Sequence, residues 1–361
     1  MNVHRKKLLT RRFLIVANAA LGVMLVASLA VLLWNFSSRG YVTRGGEVVA
    51  GVRPVLTIEG PGRGHYPAFV RPMAAAFGPD GFLHVLDSGN DRVVVLEMNG
   101  RYGLEFGGFG AVDPPSGLEP SWSEGRMNHP VGIDVDEAGN IYVADLRNEQ
   151  VQVFDPTGAF VRRFPDPGET IGSEASGGSR TGVAATDVAV AGGSVFVAAA
   201  DRIVVFTTEG EFVRQFNRAA RDSIGFDTIT GIDASDDGLI YVADSGNSRI
   251  LVLTDRGALV WTVGVSRKVD VTSSTVEPVS PYEFALPRDI AVMVDGSVAV
   301  LDAAESSIVL FSRDGALQGR HGTRGSTPGA FSAPSSIDAR GDLLLVTDTG
   351  NNRVQVVQVV R

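Results

Sequence analysis

Apolar and polar residues alternate with a period of two along most of the chain beyond residue 50, the signature of strands with one face turned inward. "LHVLDSGNDRVVVL", Leu83 to Leu96, and "IYVADSGNSRILVL", Ile240 to Leu253, each read as two strands joined by a tight Asp-Ser-Gly-Asn turn. Related passages begin at Phe82, Ile141, Val195, Ile240, Val298 and Leu344. Each is preceded by a further short apolar strand, as in "PVGIDVDEAGN" from Pro130 and "PRDIAVMVDGS" from Pro287. In all but the last, a fourth strand follows, as in "GAFVRRF" from Gly158. The repeating unit is thus four antiparallel strands with three tight turns.

A lone four-stranded unit cannot bury both of its faces, whereas units stacked around an axis can. The sixth unit stops after its third strand, "RVQVVQVVR", at the C-terminus, and "RPVLTIEGPG", Arg53 to Gly62, has the form of the strand it lacks. The pattern therefore predicts an all-β fold: a six-bladed β-propeller of four-stranded antiparallel blades over residues 53–361, closed by a strand at 54–60.

The first 36 residues depart from this pattern. Arg5, Lys6, Lys7, Arg11 and Arg12 precede Phe13 to Phe36, 24 residues without a charge. About 20 apolar residues cross a bilayer as a helix. The expectation is a cytoplasmic basic tail at 1–12, one transmembrane signal-anchor helix at 13–36 preceding the propeller, a linker at 37–52, and the propeller outside the cytoplasm. The competing reading is a cleaved signal peptide with Ser28-Leu29-Ala30 at the cleavage site.

The combination "P-x-G-I-D-V-D…G-N-I-Y-V-A-D…N-x-x-V-Q-V-F-D…G-x-F-V" resembles the NHL-repeat family of six-bladed β-propellers, over roughly Pro54 to Val360. The first, second, fourth and sixth units match well, the third loses its Gly-Asn turn and the fifth carries "DAAESS". Folds similar to this family include calcium-dependent lactonases and zinc-dependent amidating lyases, so the resemblance admits enzymes as well as binding modules.

Charge and composition narrow the chemistry. Setting aside the five N-terminal cations leaves 27 of the 32 basic residues against 41 acidic ones, a balance of −14 that disfavours nucleic acid as a partner. The chain has no cysteine, which removes disulfides, thiolate metal sites and a cysteine nucleophile. A zinc site needs about three converging imidazoles; of His65, His84, His129 and His321, no pair has a spacing that requires it. Asp87, Asp145, Asp244, Asp302 and Asp348 recur where the second strand ends, which marks them as turn-maintaining groups. Function is expected where blades differ.

At the start of the first strands, small or apolar residues prevail, and Asp187, Arg288 and Asp289 break that rule. They read as a polar cluster in the channel mouth or as ligands for a cation, with Asp187 and Asp289 the candidates for a metal and calcium the only cofactor in view. The long connections at 108–127, 165–185 and 263–283 share a face with them, and Trp122, Arg126 and Tyr282 are expected contact residues. The expected function is a membrane-anchored extracytoplasmic module that binds a protein, peptide or glycan through this loop-rich face. The alternative is a metal-dependent hydrolase or lyase with a channel-bound ion.

Overall fold

In the computed structural model of the chain, the described residues are 51–60, 68–111, 123–165, 171, 182–219, 225–264 and 282–360. The expected tail, membrane helix and most of the linker lie outside them. Among the described residues no helix is long and apolar enough to cross a membrane.

Six four-stranded antiparallel sheets are present. Their innermost strands are Ala74–Phe77, Pro130–Val135, Asp187–Ala191, Ile229–Ser235, Pro287–Val292 and Ser336–Arg340, which define blades 1 to 6 in chain order. Within blades 1 to 5 the strands follow one another outward in sequence order. Blade 6 takes its outermost strand from the other end of the chain: Gly51–Ile58 pairs antiparallel with Arg353–Val360, from Gly51 opposite Val360 to Ile58 opposite Val354. The closing strand thus starts three residues before the predicted 54–60 and ends two residues earlier, with a register shift at Pro54 where proline lacks an amide hydrogen.

Six hydrophobic clusters form the core, one between each pair of neighbouring blades. The turn between second and third strands is built alike in the blades that match the motif. The second strand ends at Asp87, Asp145, Asp244 or Asp348, a short 3-10 turn follows, and the next residue is left-handed, with φ of 50° at Asp91, 51° at Glu149, 53° at Ser248 and 52° at Asn352. Blade 5 lacks the motif yet keeps the left-handed residue, at Ser306, whereas blade 3 joins Ala199 to Arg202 through a shorter turn of two residues with Ala200 left-handed.

The recurrent aspartates act as turn-maintaining groups. Asp348 is fully buried; its Oδ1 accepts the amide of Ser332 at 2.7 Å, and its Oδ2 accepts from Asn351, Arg353 and Gln355. Asp87, Asp145 and Asp244 repeat this, each taking the amide of a residue 17 positions earlier in the connection that leads into its own blade. A buried carboxylate so surrounded pins the incoming chain to the turn.

Candidate functional site

The first strand of every blade is an edge strand, and its edge faces the central axis. Amides at alternate positions have no strand to pair with there, and a buried amide without an acceptor is costly. Aligning the blades by strand register gives two tiers of residues on the inner strands. The first tier is Ala74, Gly132, Asp187, Gly231, Asp289 and Ser336, each paired with the residue just before the end of the second strand. The second tier, two residues on, is Ala76, Asp134, Ala189, Asp233, Ala291 and Asp338.

Five aspartates in these tiers join blade to blade. In the first tier, Asp187 accepts the amides of Val188 and, at 2.9 Å, of Ile232 in blade 4. Asp289 accepts those of Ile290 and of Ile337 in blade 6, both at 2.8 Å. In the second tier, Asp134 accepts Val135 and Val190, Asp233 accepts Ala234 and Val292, and Asp338 accepts Ala339 and Phe77 in blade 1, at 2.6 to 2.7 Å. Each carboxylate takes one amide from its own strand and one from the next blade.

The tiers alternate for a steric reason. A Cβ on Gly132 would lie 2.7 Å from Asp187 Cα, and one on Gly231 would lie 2.6 Å from Asp289 Cα. Blades that precede a first-tier aspartate therefore carry glycine there and place their own aspartate in the second tier. Blade 1 breaks the alternation with Ala74-Ala75-Ala76, and blade 6, which precedes it, has Ser336 where glycine would stand.

These side chains surround a cavity of about 30 Å³, room for roughly one or two waters. Burial pushes all five acids upward. Asp233 rises to about 7 and Asp338 to about 6. Asp134 is driven well above the usual range by burial and then by Asp338 and Asp233, and Asp187 by burial and then by Asp289. Burial raises Asp289 as well, against its amide donors and the charge of Arg288.

The structure thus brings Asp187 and Asp289 into the channel, as the sequence predicts, but commits both to main-chain amides. Arg288 forms no ion pair among the described residues, though its charge acts on Asp289. Asp134, Asp233 and Asp338 were missed by the sequence reading. Their signal is the Ile-Asp of "GIDV", "GIDA" and "SIDA", which looks like ordinary repeat consensus until the inner strands are aligned.

Among the expected contact residues, Arg126 is exposed on the loop-rich face and donates from Nη1 to the Gly107 carbonyl at 3.1 Å. Tyr282 is half-buried, with its ring packed on Phe284 and Phe311 at 4.8 and 5.9 Å. Trp122 and His65 lie outside the described residues, as does most of each long connection. His84 is buried in blade 1, where burial lowers its pKa to about 4, and His321 ends the outer strand of blade 5. Among the described residues, no group of three histidine or acidic side chains is spaced to hold a metal ion.

The two ends of the channel differ. At the loop-rich end, hydroxyls tie blades together: Thr186 donates to the Ile229 carbonyl, Thr230 to that of Arg288, and Ser335 to that of Met73. At the opposite end, the turns leaving the inner strands enclose a funnel of about 990 Å³, whose lining includes Asp136, Glu137, Asp236, Tyr241, Val294 and Arg313.

The sequence profile of the NHL repeat matches residues 127–154 and 226–253, in blades 2 and 4. NHL repeat-containing protein 3 of Homo sapiens is 26% identical over 167 residues, 43% of this chain and 44% of that protein. Protein brain tumor of Drosophila melanogaster is 24% identical over 172 residues, 47% of this chain and 14% of that protein. The chain therefore spans less than half the length of these curated relatives. Among solved structures, a streptogramin B lyase superposes with a TM-score of 0.51 at 14% identity, covering 86% of this chain and 98% of its own. Virginiamycin B lyase from Staphylococcus aureus superposes with a TM-score of 0.50 at 12% identity, covering 79% of this chain and 80% of its own. Likeness at such identities concerns the fold alone. The chain carries NHL repeats folded as a six-bladed β-propeller.

Proposed function

We propose that this protein is a scaffold that binds a protein or peptide partner on its loop-rich face, held at a membrane by the apolar segment 13–36. One observation carries the reading. The acids that a channel ion would require are each engaged by two main-chain amides from adjacent blades, so they serve to join the ring. A rigid ring leaves recognition to the loops it presents. The NHL repeat supports a protein-binding role, and the same engagement of Asp187 and Asp289 weighs against the hydrolase or lyase alternative. A glycan partner belongs to the same proposal.

The experiment is capture of partners from envelope extracts by the full-length chain, beside two altered chains. One has residues 112–122 replaced by a short Gly-Ser segment; the other carries Glu137→Ala with Asp236→Ala at the funnel. Loss of the same partners with the first chain alone supports the reading. Loss with the funnel chain alone overturns the choice of face.

A further inference from the structure

The seam between blades 1 and 2 differs from the other five in ways that point to one ligand. Strand periodicity turns the amides of Ala75 and Ile133 toward the axis, as it does those of Val188, Ile232, Ile290 and Ile337 at the same level. At those other positions an aspartate accepts them. Between Ala75 and Ile133 stands Ala74, whose methyl group cannot, and both residues line the channel cavity.

Above this seam the chain places cations where other blades are neutral. Arg71 and His129 occupy the position that holds Thr228, Leu286 and Ala333 in blades 4, 5 and 6. Arg147 stands in the turn where blades 1, 4 and 6 have Gly89, Gly246 and Gly350. Each of those glycines lies so close to the connection before it that a Cβ would come within 2.3 to 2.5 Å of a carbonyl oxygen. Blade 2 admits a side chain at this point, with the amide of Arg147 held at 3.2 Å from the Asn128 carbonyl.

The two arginines act on His129 and favour its neutral form. Burial and then Arg147 and Arg71 lower the proton affinity of His129, while Asp91 opposes them and takes the His129 amide at 2.7 Å. Neither Arg71 nor Arg147 has an ion-pair partner among the described residues, and both are exposed. Val70 beside Arg71 is 43% exposed, which adds an apolar surface to the site.

We propose that the seam between blades 1 and 2 binds a carboxylate of the peptide partner, which accepts the amide hydrogens of Ala75 and Ile133 while Arg71 and Arg147 hold the chain that carries it. The protein supplies its own precedent, because Asp187 and Asp289 bridge the equivalent amides at two other seams. Arg71 stands in the bend three residues before the strand Ala74–Phe77, so the bound group is a chain end or an acidic side chain on a slender segment. The inference rests on the proposed role of the loop-rich face and names the partner chemistry. RNA is disfavoured as the anion, since two arginines in a chain of net charge −9 make a poor track for a polyanion.

The test uses the full-length chain and four probes at matched ionic strength, with affinity read by NMR titration and by the shift in melting temperature. The probes are N-acetyl-alanine for a chain-end carboxylate, N-acetyl-aspartate amide for a side-chain carboxylate, N-acetyl-asparagine amide as the neutral control, and an oligouridylate. Binding of either carboxylate probe, with the neutral control inert, is expected, and the one that binds identifies the source. Arg71→Ala with Arg147→Ala should weaken it about tenfold, the loss of one charge-assisted contact. Ala74→Asp should abolish it by filling the seam from within. Should that variant fail to fold against Ser336, Ala74→Asp with Ser336→Gly restores the arrangement of the other seams. No carboxylate binding, binding indifferent to the arginine and Ala74 variants, or binding of the oligouridylate alone would overturn the proposal. Loss of captured partners on replacing residues 112–122 would still stand in that case, so the two readings fail separately.

Discussion

Replacing Gly231 by alanine tests the joinery of the channel on a single atom. The added Cβ would lie 2.3 Å from Asp289 Oδ1, 2.6 Å from Asp289 Cα and 3.0 Å from the Arg288 carbonyl. Ordinary carbon contacts need about 3.5 Å or more, so the inner strand of blade 5 must retreat by about 1 Å. The main chain cannot yield there without loosening the bonds from Ile290 and Ile337 to Asp289, both 2.8 Å. Overpacking of this kind costs about 1–3 kcal/mol, and weakening a hydrogen bond to a charged acceptor adds about 1.5–3 kcal/mol. We expect a loss of about 3–5 kcal/mol, or roughly 5–8 °C in melting temperature for a chain of this size. Gly225→Ala is the control, because among the described residues its Cβ would meet only the Asn217 carbonyl, at 3.4 Å. Urea and calorimetric unfolding of both variants read the difference. A Gly231→Ala protein within 1 kcal/mol of the parent would refute the reasoning.

Two further outcomes follow from the same channel. The five acids bind protons more tightly in the folded chain than in the unfolded one, so their contribution is present at low pH and lost as pH rises through about 6 to 7 for Asp338 and Asp233. Between pH 8 and 6 these two add about 2 kcal/mol, reduced by water in the channel, while His84, lowered to about 4, removes about 1 kcal/mol. The melting temperature should therefore rise by about 1–2 °C as pH falls from 8 to 6, and Asp233→Asn with Asp338→Asn should remove the rise; a parent curve that falls over that range contradicts the assignment. Calcium, zinc or a chelator should leave the melting temperature unchanged, and a metal-dependent rise abolished by Asp187→Ala would restore the ion-binding alternative.

The fold was legible because it is written several times. A blade count, a strand order and even the closure by the two chain ends follow from noticing that the last unit lacks one strand and the segment after residue 50 supplies it. The channel was legible only in part. Asp187 and Asp289 stood out because their neighbours at that position are small. Asp134, Asp233 and Asp338 lie two residues further along, in the blades that obey the repeat best, so regularity hid them. The rule that links them, glycine facing aspartate across a blade junction, joins residues some 55 positions apart and exists only once the ring is closed. Tyr282 borders a long connection in sequence; that its ring packs on Phe284 and Phe311 was not legible there. The funnel had no signal at all, being formed by turns that are individually ordinary.

Amide hydrogen exchange, read residue by residue on the deuterated chain, tests the account most directly, because it reports whether each inward-facing amide has an acceptor. We predict slow exchange at Phe77, Val190, Ile232, Val292 and Ile337, the five amides taken by a carboxylate from the preceding blade. Ala75 and Ile133, at the seam without an aspartate, should exchange at least tenfold faster, about the effect of one net hydrogen bond. Equal protection at all seven positions would contradict it.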